Sequence, residues 1–449
     1  MAGRPRSRLT RPPSPRPHLA VSRRRRASML QGRACVLHPY PNRYLIDSLH
    51  GAGLQVVLVC PRDVVPPGAP VEAVIDAPLH DDAAVIAGVE AFHRTQPIDF
   101  VVPLYEGCTH LSAAIAARLK LPGNPPEAAD ASRNKYLAYQ CWARAGVSAP
   151  RTIPLLELDH AADAIEQELG FPAIVKLTDS MNSQGVGLVR DRQQYEAYRE
   201  RLRTMLSRPV DIDIQSDRNR LAYGRGAVKV LAQEFCQGSE VNVDILMGGG
   251  EYVVAGIFEK APAMGPWFAE TMSVSPTSLG AEKEAELGRL AIAAVKALGA
   301  TVGAAHVEIR YSEQGPRVLE AGLRPGGGYT MQAIEHLTGF NMPVEVARML
   351  SGGKAPNSTP RRKAALYGGV VYPHSGTLRS VTGLEVFRDI PGLMTHVVLH
   401  KPGDRVYALP ESAQPHLTYY LIGGETRDEV LALHRRIQES VRLEIEPFA

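Results

Sequence analysis

The chain has 449 residues, 45% of them hydrophobic, and a formal net charge of +3 at neutral pH. That is enough apolar material to bury large cores, and by size it should divide into about three domains. No apolar run approaches the roughly 18 residues of a membrane span, and the five cysteines (Cys35, Cys60, Cys108, Cys141 and Cys236) show neither CxxC nor zinc spacing, as expected of reduced, mostly buried thiols in a cytoplasmic protein.

Charge is unevenly spread. Residues 1–28 hold nine arginines and no lysine or acid, which leaves −6 on the rest of the chain. This Arg- and Pro-rich segment cannot fold alone. It reads as a disordered tail or a start-site artefact, with Met29 opening the folded protein. A nucleic-acid or targeting arm is the alternative; no apolar segment follows residues 23–26, as a secretory signal would require.

Short apolar runs at 34–37, 56–60 and 100–103 alternate with helical patterns at 42–52 and 81–95, which predicts a parallel-sheet α/β domain over 29–125. A helix over 106–119 follows. The loop of Tyr105, Glu106 and Gly107 then lies at a strand's carboxyl end, where open α/β sheets bind ligands, so Glu106 is a candidate substrate contact. After a Pro/Gly break at 121–126 a helix is predicted over 132–145, within a helical linker spanning 126–150. Residues 151–230 read as a small lobe with a strand at 173–177, a helix at 192–206 and a mobile polar loop at 208–226. Residues 231–360 read as a strand-rich large lobe, with a linker at 352–362. Residues 361–449 read as a C-terminal subdomain of strands ending in a helix over 427–443.

The richest stretch is HVEIRYSEQGPRVLEAGLRPGGG, residues 306–328, which alternates apolar and polar on both sides of a turn and so reads as a β-hairpin. A turn centred on Gln314 sets Glu308 opposite Glu320 on one face, with Val307, Ile309, Leu319 and Ala321 on the other. Two opposed carboxylates repel unless a cation sits between them, and hard divalent cations take carboxylate oxygens. Read alone, the pair is equally one solvated face.

Upstream, FPAIVKLTDSMNSQGVG places Lys176 at the end of a strand, before a loop with Gly185 and Gly187. Glycines let backbone amides approach a phosphate, and a lysine can neutralise it, although neither a Walker motif nor GxGxxG is present. VLAQEFCQGSEVNVDIL puts Gln233, Glu234, Cys236 and Glu240 in a turn between two strands, where backbone groups could pair an adenine edge and Glu240 could take a ribose hydroxyl. Each stretch by itself is also readable as an ordinary exposed loop.

Together, in this order over most of residues 34–330, these pieces resemble the ATP-grasp superfamily. In SRNKYLAY, Lys135 matches the first nucleotide lysine, and Lys176 matches the second. MNSQGVG, with Ser183, Gly185 and Val186, matches the loop that closes over the phosphates. QEFC matches the adenine hinge and Glu240 the ribose acid. Glu308 and Glu320 match the metal ligands, and Arg324 the arginine that follows them. The resemblance implies an ATP-grasp fold behind a parallel-sheet domain, with ATP and Mg²⁺ as cofactors and Mn²⁺ able to substitute. It implies a ligase with Arg324 and Lys176 as catalytic residues: Lys176, with Lys135, supports the transferring charge as a carboxylate becomes an acyl phosphate, Arg324 holds that intermediate, and an amine then displaces phosphate.

Gly322 stands where the family commonly has asparagine as a further metal ligand. A small residue there, and FAETMSVSPTSL, resemble the L-amino acid ligase branch, which makes dipeptides. That likeness puts Glu270 where a substrate ammonium is held, Ser273 where a histidine is often found, and the amides of Gly326, Gly327 and Gly328 near a substrate carboxylate. The implied partners are small molecules, an amino acid or other carboxylate and an amine; a membrane or nucleic acid is not implied, and a homodimer is allowed. Purine-pathway and D-alanine–D-alanine-type ligases, and a non-catalytic nucleotide-binding protein of the same fold, are the rivals. His306, His374, Trp267 and Phe268 are expected to be structural, Trp267 and Phe268 as pocket wall or core.

Overall fold

A computed structural model of the protein describes residues 29–181, 185–207, 210–211, 220–221, 227–262, 270–356, 363–408 and 415–448. The N-terminal unit is a four-stranded parallel sheet in the order Ala73–Ile75, Gln55–Val59, Arg33–Leu37, Phe100–Val101. Its strands are nearly continuous apolar runs because helices cover both faces. Asn42 and Asp81 accept from the amides of Leu45 and Ala84 and so cap the helices Arg43–Gly51 and Asp82–Thr95. The edge strand Ala73–Ile75 escapes the sequence pattern because it is only three residues long and half-buried. The helix expected over 106–119 opens as a 3₁₀ turn, Glu106–Cys108, before Thr109–Arg118.

The helix expected over 132–145 is two helices, Pro126–Arg133 and Lys135–Ala145. Asn134 divides them: its backbone is extended, and its side chain accepts from the amides of Tyr136 and Leu137. Next comes the small lobe, an antiparallel sheet in the order Thr152–Pro154, Val230–Glu234, Ala173–Leu177, Val186–Val189, with helices Ala161–Glu168 and Arg192–Ser207. Of the polar loop at 208–226, Val210–Asp211 pairs with Arg220–Leu221; the rest lies outside the described residues.

The largest element is an eight-stranded antiparallel sheet in the order Gly315–Gly322, Gly303–Ser312, Ser239–Gly248, Glu251–Lys260, Met272–Ser275, Ala364–Val371, His416–Gly424, Leu393–Val398. It runs without a break from the large lobe into the C-terminal strands. One face is apolar: Val241, Val243, Val307, Ile309 and Ala321 pack with Leu287 and Ala291 of the helix Ala281–Ala297 and with Trp142. On the other face Thr330–Thr338 and Met342–Leu350 join the sheet to the core of the N-terminal unit through Ile334, Leu337 and Val346.

The hairpin differs from expectation at one position. Glu308 does pair with Glu320, and His306 with Gly322, but the register then slips so that Ile309 meets Val318. Leu319 is a bulge. It lines the cleft beside Glu320, and Val318 takes the expected place of Leu319 in the core. The C-terminal helix is Arg427–Ser440, shorter than expected, because residues 442–446 alternate at strand period and pair with Gly376–Thr382. All five cysteines are free thiols, four of them buried. Among the described residues no helix is long and apolar enough to cross a membrane.

Candidate active site

Strand periodicity builds the site. While alternate residues of Ser239–Gly248 and Gly303–Ser312 enter the core, Asn242, Asp244, His306 and Glu308 turn to the opposite face. That face floors a cavity of about 540 Å³, walled by the N-terminal unit, the small lobe and the C-terminal strands. Of the residues proposed from sequence, Lys135, Lys176, Val186, Gln233, Glu234, Cys236, Glu240, Glu270, Glu308, Glu320, Arg324, Gly327 and Glu106 line it. Gly185, at φ +66°, lies in the turn just before Val186 and is not part of the wall. Ser183, Trp267 and Phe268 fall outside the described residues.

Two buried lysines stand on one side. Lys135 is the first residue of its helix. Its Nζ donates to the Ser180 carbonyl at 2.5 Å and pairs with Glu320 at 3.2 Å. Lys176 Nζ donates to Gln233 Oε1 at 3.0 Å, and Gln233 in turn donates to Thr152. Burial pushes the Lys176 ammonium down to about 8, helped by the charge of Lys135 and opposed by Glu320 and Glu308.

A third cation, Lys260, was not legible in the sequence. It ends the strand Glu251–Lys260, and its Nζ lies 2.7 Å from Glu240, 2.6 Å from Glu270 and 2.9 Å from Glu308. Burial alone would lower its pKa, but the three carboxylates outweigh burial and raise it. Burial works against ionisation of Glu308 too, yet Lys260 and His306 draw its carboxyl down to about 2. Glu240 also pairs with Arg310. Glu270, half exposed, is the acid of this trio most open to solvent.

A hard divalent cation fits what remains. Glu308 and Glu320 oppose each other in the ladder, and their ion pairs with Lys260 and Lys135 each use only Oε1. Asn242 pairs with Glu308 across the next ladder, and its buried Oδ1 has no hydrogen-bond partner among the described residues. Three oxygen donors on one face, one of them an orphaned amide oxygen, suit Mg²⁺. Glu240, Glu270 and Glu308 also hold oxygens within 4.8 Å of one another, but Lys260 already neutralises that trio.

Arg324 is held from the N-terminal unit. Its Nε donates to Glu106 Oε2 at 2.6 Å, while Arg133 donates to Glu106 Oε1 at 3.0 Å and to the Asp179 carbonyl at 2.8 Å. Burial raises the Glu106 pKa, but the two guanidinium groups prevail and hold its carboxyl at about 2. Glu106 is thus a brace for Arg324 and no longer a free acid for substrate. The Arg324 Nη2 group has no partner among the described residues. A Cβ on Gly322 would lie 2.4 Å from Glu106 Oε2, so the missing side chain at 322 makes room for that brace. Asp244 accepts from the Gly326 amide at 2.8 Å and lies 3.1 Å from His306 Nδ1, which fixes the turn carrying Gly327.

Comparison with known proteins agrees with this architecture. Residues 169–332 match the ATP-grasp domain family, and residues 370–446 match the L-amino acid ligase C-terminal domain 2 family. The L-amino acid ligase of Bacillus licheniformis superposes with a TM-score of 0.75 at 22% identity, over 92% of this chain and 99% of that one. Phosphoribosylglycinamide synthetase of Anaerococcus prevotii gives 0.66 at 14% identity, over 93% and 100%. Carnosine synthase 1 of Mus musculus is 28% identical over 285 residues, 61% of this chain but 33% of that protein, so the chain spans about a third of the length of that relative. Residues 169–332 are thus an ATP-grasp domain, and the chain as a whole has the ATP-grasp fold. Its C-terminal unit is of the L-amino acid ligase type.

Proposed function

We propose that the protein is an ATP-dependent carboxylate–amine ligase that joins two amino acids into a dipeptide. The observation that carries this reading is the convergence of Lys135, Lys176, Glu308, Glu320 and Arg324 on one cavity, in a chain whose C-terminal domain is of the L-amino acid ligase type.

Gln233, Glu234 and Cys236 would border the adenine and Glu240 the ribose, while Lys135, Lys176 and the Val186 strand edge would cradle the phosphates. Glu308, Glu320 and Asn242 would hold Mg²⁺ or Mn²⁺. When bound, the ion supplies charge neutralisation at the β- and γ-phosphates. A substrate carboxylate oxygen attacks the γ-phosphorus, the bond to the β,γ-bridging oxygen breaks, and ADP departs. The amine of the second substrate then attacks the acyl carbon, phosphate leaves and an amide forms, with the amine's proton released.

Arg324 suits the acyl phosphate because its guanidinium is permanently charged and forked. Glu106, itself anchored by Arg133, holds it without spending the Nη2 donor. Gly327 and Glu270 line the same cavity; the Gly327 amide would receive a substrate carboxylate and Glu270 an ammonium. Five cysteines with no disulfide among them suit a cytoplasmic enzyme. The test is a pairwise amino acid screen with ATP and Mg²⁺, read by phosphate release and product mass. Dipeptide masses with stoichiometric ADP are expected; ATP turnover dependent on a purine precursor instead would move the protein to another branch.

A further inference from the structure

One end of the cavity is walled by rings from three parts of the chain: His38, Tyr40 and Tyr105 from the N-terminal unit, Tyr329 beyond the glycine turn, and His416 and Tyr419 from the C-terminal strands. This end adjoins Arg324 and Glu270, away from the hinge: Tyr105 precedes the Glu106 that braces Arg324, and His416 Nε2 lies 2.9 Å from the Glu270 carbonyl. His38, Tyr40 and Tyr105 pack edge-on or tilted, with centroids 4.8–5.5 Å apart. Tyr419 stacks on His416 at 4.4 Å.

The polar tips of the four tyrosines and of His416 are already engaged with protein, and the Tyr40 amide donates to His38 Nδ1. Tyr40 Oη donates to Tyr105 Oη, and Tyr105 Oη to Met181 Sδ. Tyr419 Oη meets His416 Nδ1 at 2.9 Å, and Tyr329 bonds Thr395. What the wall offers a ligand is therefore ring surface. Burial keeps both histidines uncharged at neutral pH, His38 at about 3 and His416 at about 4, the latter against the bond to the Glu270 carbonyl. Of the neighbouring cations, Arg133 is committed to Glu106 and Lys260 to three carboxylates, while Arg324 is paired with Glu106 and keeps its Nη2 donor for the acyl phosphate of the ligase reading. With Arg324 and Glu270 taken by the acyl phosphate and the substrate ammonium, a charged side chain would lose its hydration here without gaining a counter-charge, and a small one would leave the rings without contacts.

We propose that this recess receives the uncharged aromatic side chain of one amino acid substrate. Aromatic rings favour edge-to-face and offset packing against one another, which is the geometry the wall presents. The inference rests on the ligase reading for its consequence in turnover, but not for binding.

The full-length protein with ATP and Mg²⁺ is offered L-phenylalanine, L-tyrosine, L-alanine, L-aspartate and L-lysine in turn against a common panel of second amino acids. The expected kcat/KM for phenylalanine or tyrosine exceeds that for the other three at least tenfold. Tyr40 is 36% exposed, so Tyr40→Ala should fold normally; it and Tyr419→Ala should each cut the phenylalanine-to-alanine ratio at least fivefold, while Tyr40→Phe preserves it. Equilibrium dialysis of labelled phenylalanine and aspartate, with Mg²⁺ and a non-hydrolysable ATP analogue, reads binding without chemistry. Dipeptides formed with no aromatic preference would overturn the recess and leave the ligase standing. Phenylalanine bound selectively but never ligated would overturn the ligase and leave the recess standing. Phenylalanine neither bound nor turned over would overturn the recess.

Discussion

At the scale of single residues, the arginine expected to meet the acyl phosphate depends on an acid 218 positions away. Glu106 is buried, charged and paired with two guanidinium groups, so its replacement leaves two partly buried cations short of a counter-charge. Glu106→Gln should cost about 3 kcal/mol of stability, the usual scale for breaking a buried pair. It should also lower kcat/KM about a hundredfold through misplacement of Arg324. Denaturant midpoints and amino acid-dependent phosphate release measure the two effects separately. Gly322→Ala reaches the same brace from the other side, since its Cβ would overlap the Glu106 carboxylate; a similar loss of turnover is expected, with about 1–3 kcal/mol of destabilisation. Lys176 carries the pH dependence. Held at about 8, it is charged below that pH and neutral above it. kcat/KM for ATP should therefore fall as pH rises through about 8, and Lys176→Arg, whose charge persists, should remove that alkaline limb. Glu308, Glu320 and Lys176 were legible because their spacing along strands and before glycines is visible in one dimension, whereas Lys135 was legible only through the family resemblance. Lys260, Asn242 and Arg133 were not, since a lysine ending a strand, an asparagine within one and an arginine before a cap read as ordinary solvated side chains until the tertiary fold brings them to the cleft.

At the scale of elements, local backbone chemistry aims the charges. Asn134 ends one helix and starts the next, and its side chain takes two amides of the first turn, 3.0 and 3.1 Å away. The residue that follows the cap is Lys135, so the position of its ammonium is inherited from the cap. Asn134→Ala should cost about 1 kcal/mol and raise the KM for ATP several-fold, with Asn134→Asp restoring both; thermal unfolding and initial rates at varied ATP check this. A helix over 132–145 was the natural reading of SRNKYLAYQCWARA, because asparagine is tolerated inside helices and nothing local says that its side chain has turned back to cap. The bulge at Leu319 is hidden for the same kind of reason. Both registers keep Glu308 opposite Glu320, and only packing against the helix Ala281–Ala297 decides that Val318 enters the core and Leu319 faces the cleft. Elements whose pattern is long and one-sided, such as the strand Ala173–Leu177 or the helix Arg192–Ser207, were readable nearly to the residue.

At the scale of the whole molecule, a sequence read in segments makes the C-terminal strands a separate unit, because a linker-like composition at 352–362 separates them from the large lobe. Pairing between distant strands leaves no such local trace. Ala364–Val371 hydrogen-bonds to Met272–Ser275 over four residue pairs, and His416–Gly424 and Leu393–Val398 extend the same sheet outward. The two regions share apolar contacts as well: Val274 packs with Leu366 and Ile422, and Phe258 meets Tyr367 at 5.8 Å between ring centroids. The site spans this join, because His416 holds the Glu270 backbone and Tyr367 holds Thr330. A chain ending at residue 356 would therefore keep every nucleotide and metal candidate and still lose the sheet's continuation, leaving Met272–Ser275 as an unpaired edge and its apolar face uncovered. The expected outcome is an aggregating product with no cooperative thermal transition, in contrast to a chain lacking residues 1–28, which should unfold and turn over ATP as the full chain does. Soluble yield, calorimetry and ATP hydrolysis on the two truncations decide the matter. A soluble 1–356 product with full nucleotide turnover would mean that the C-terminal strands cap an already stable lobe and do not complete it.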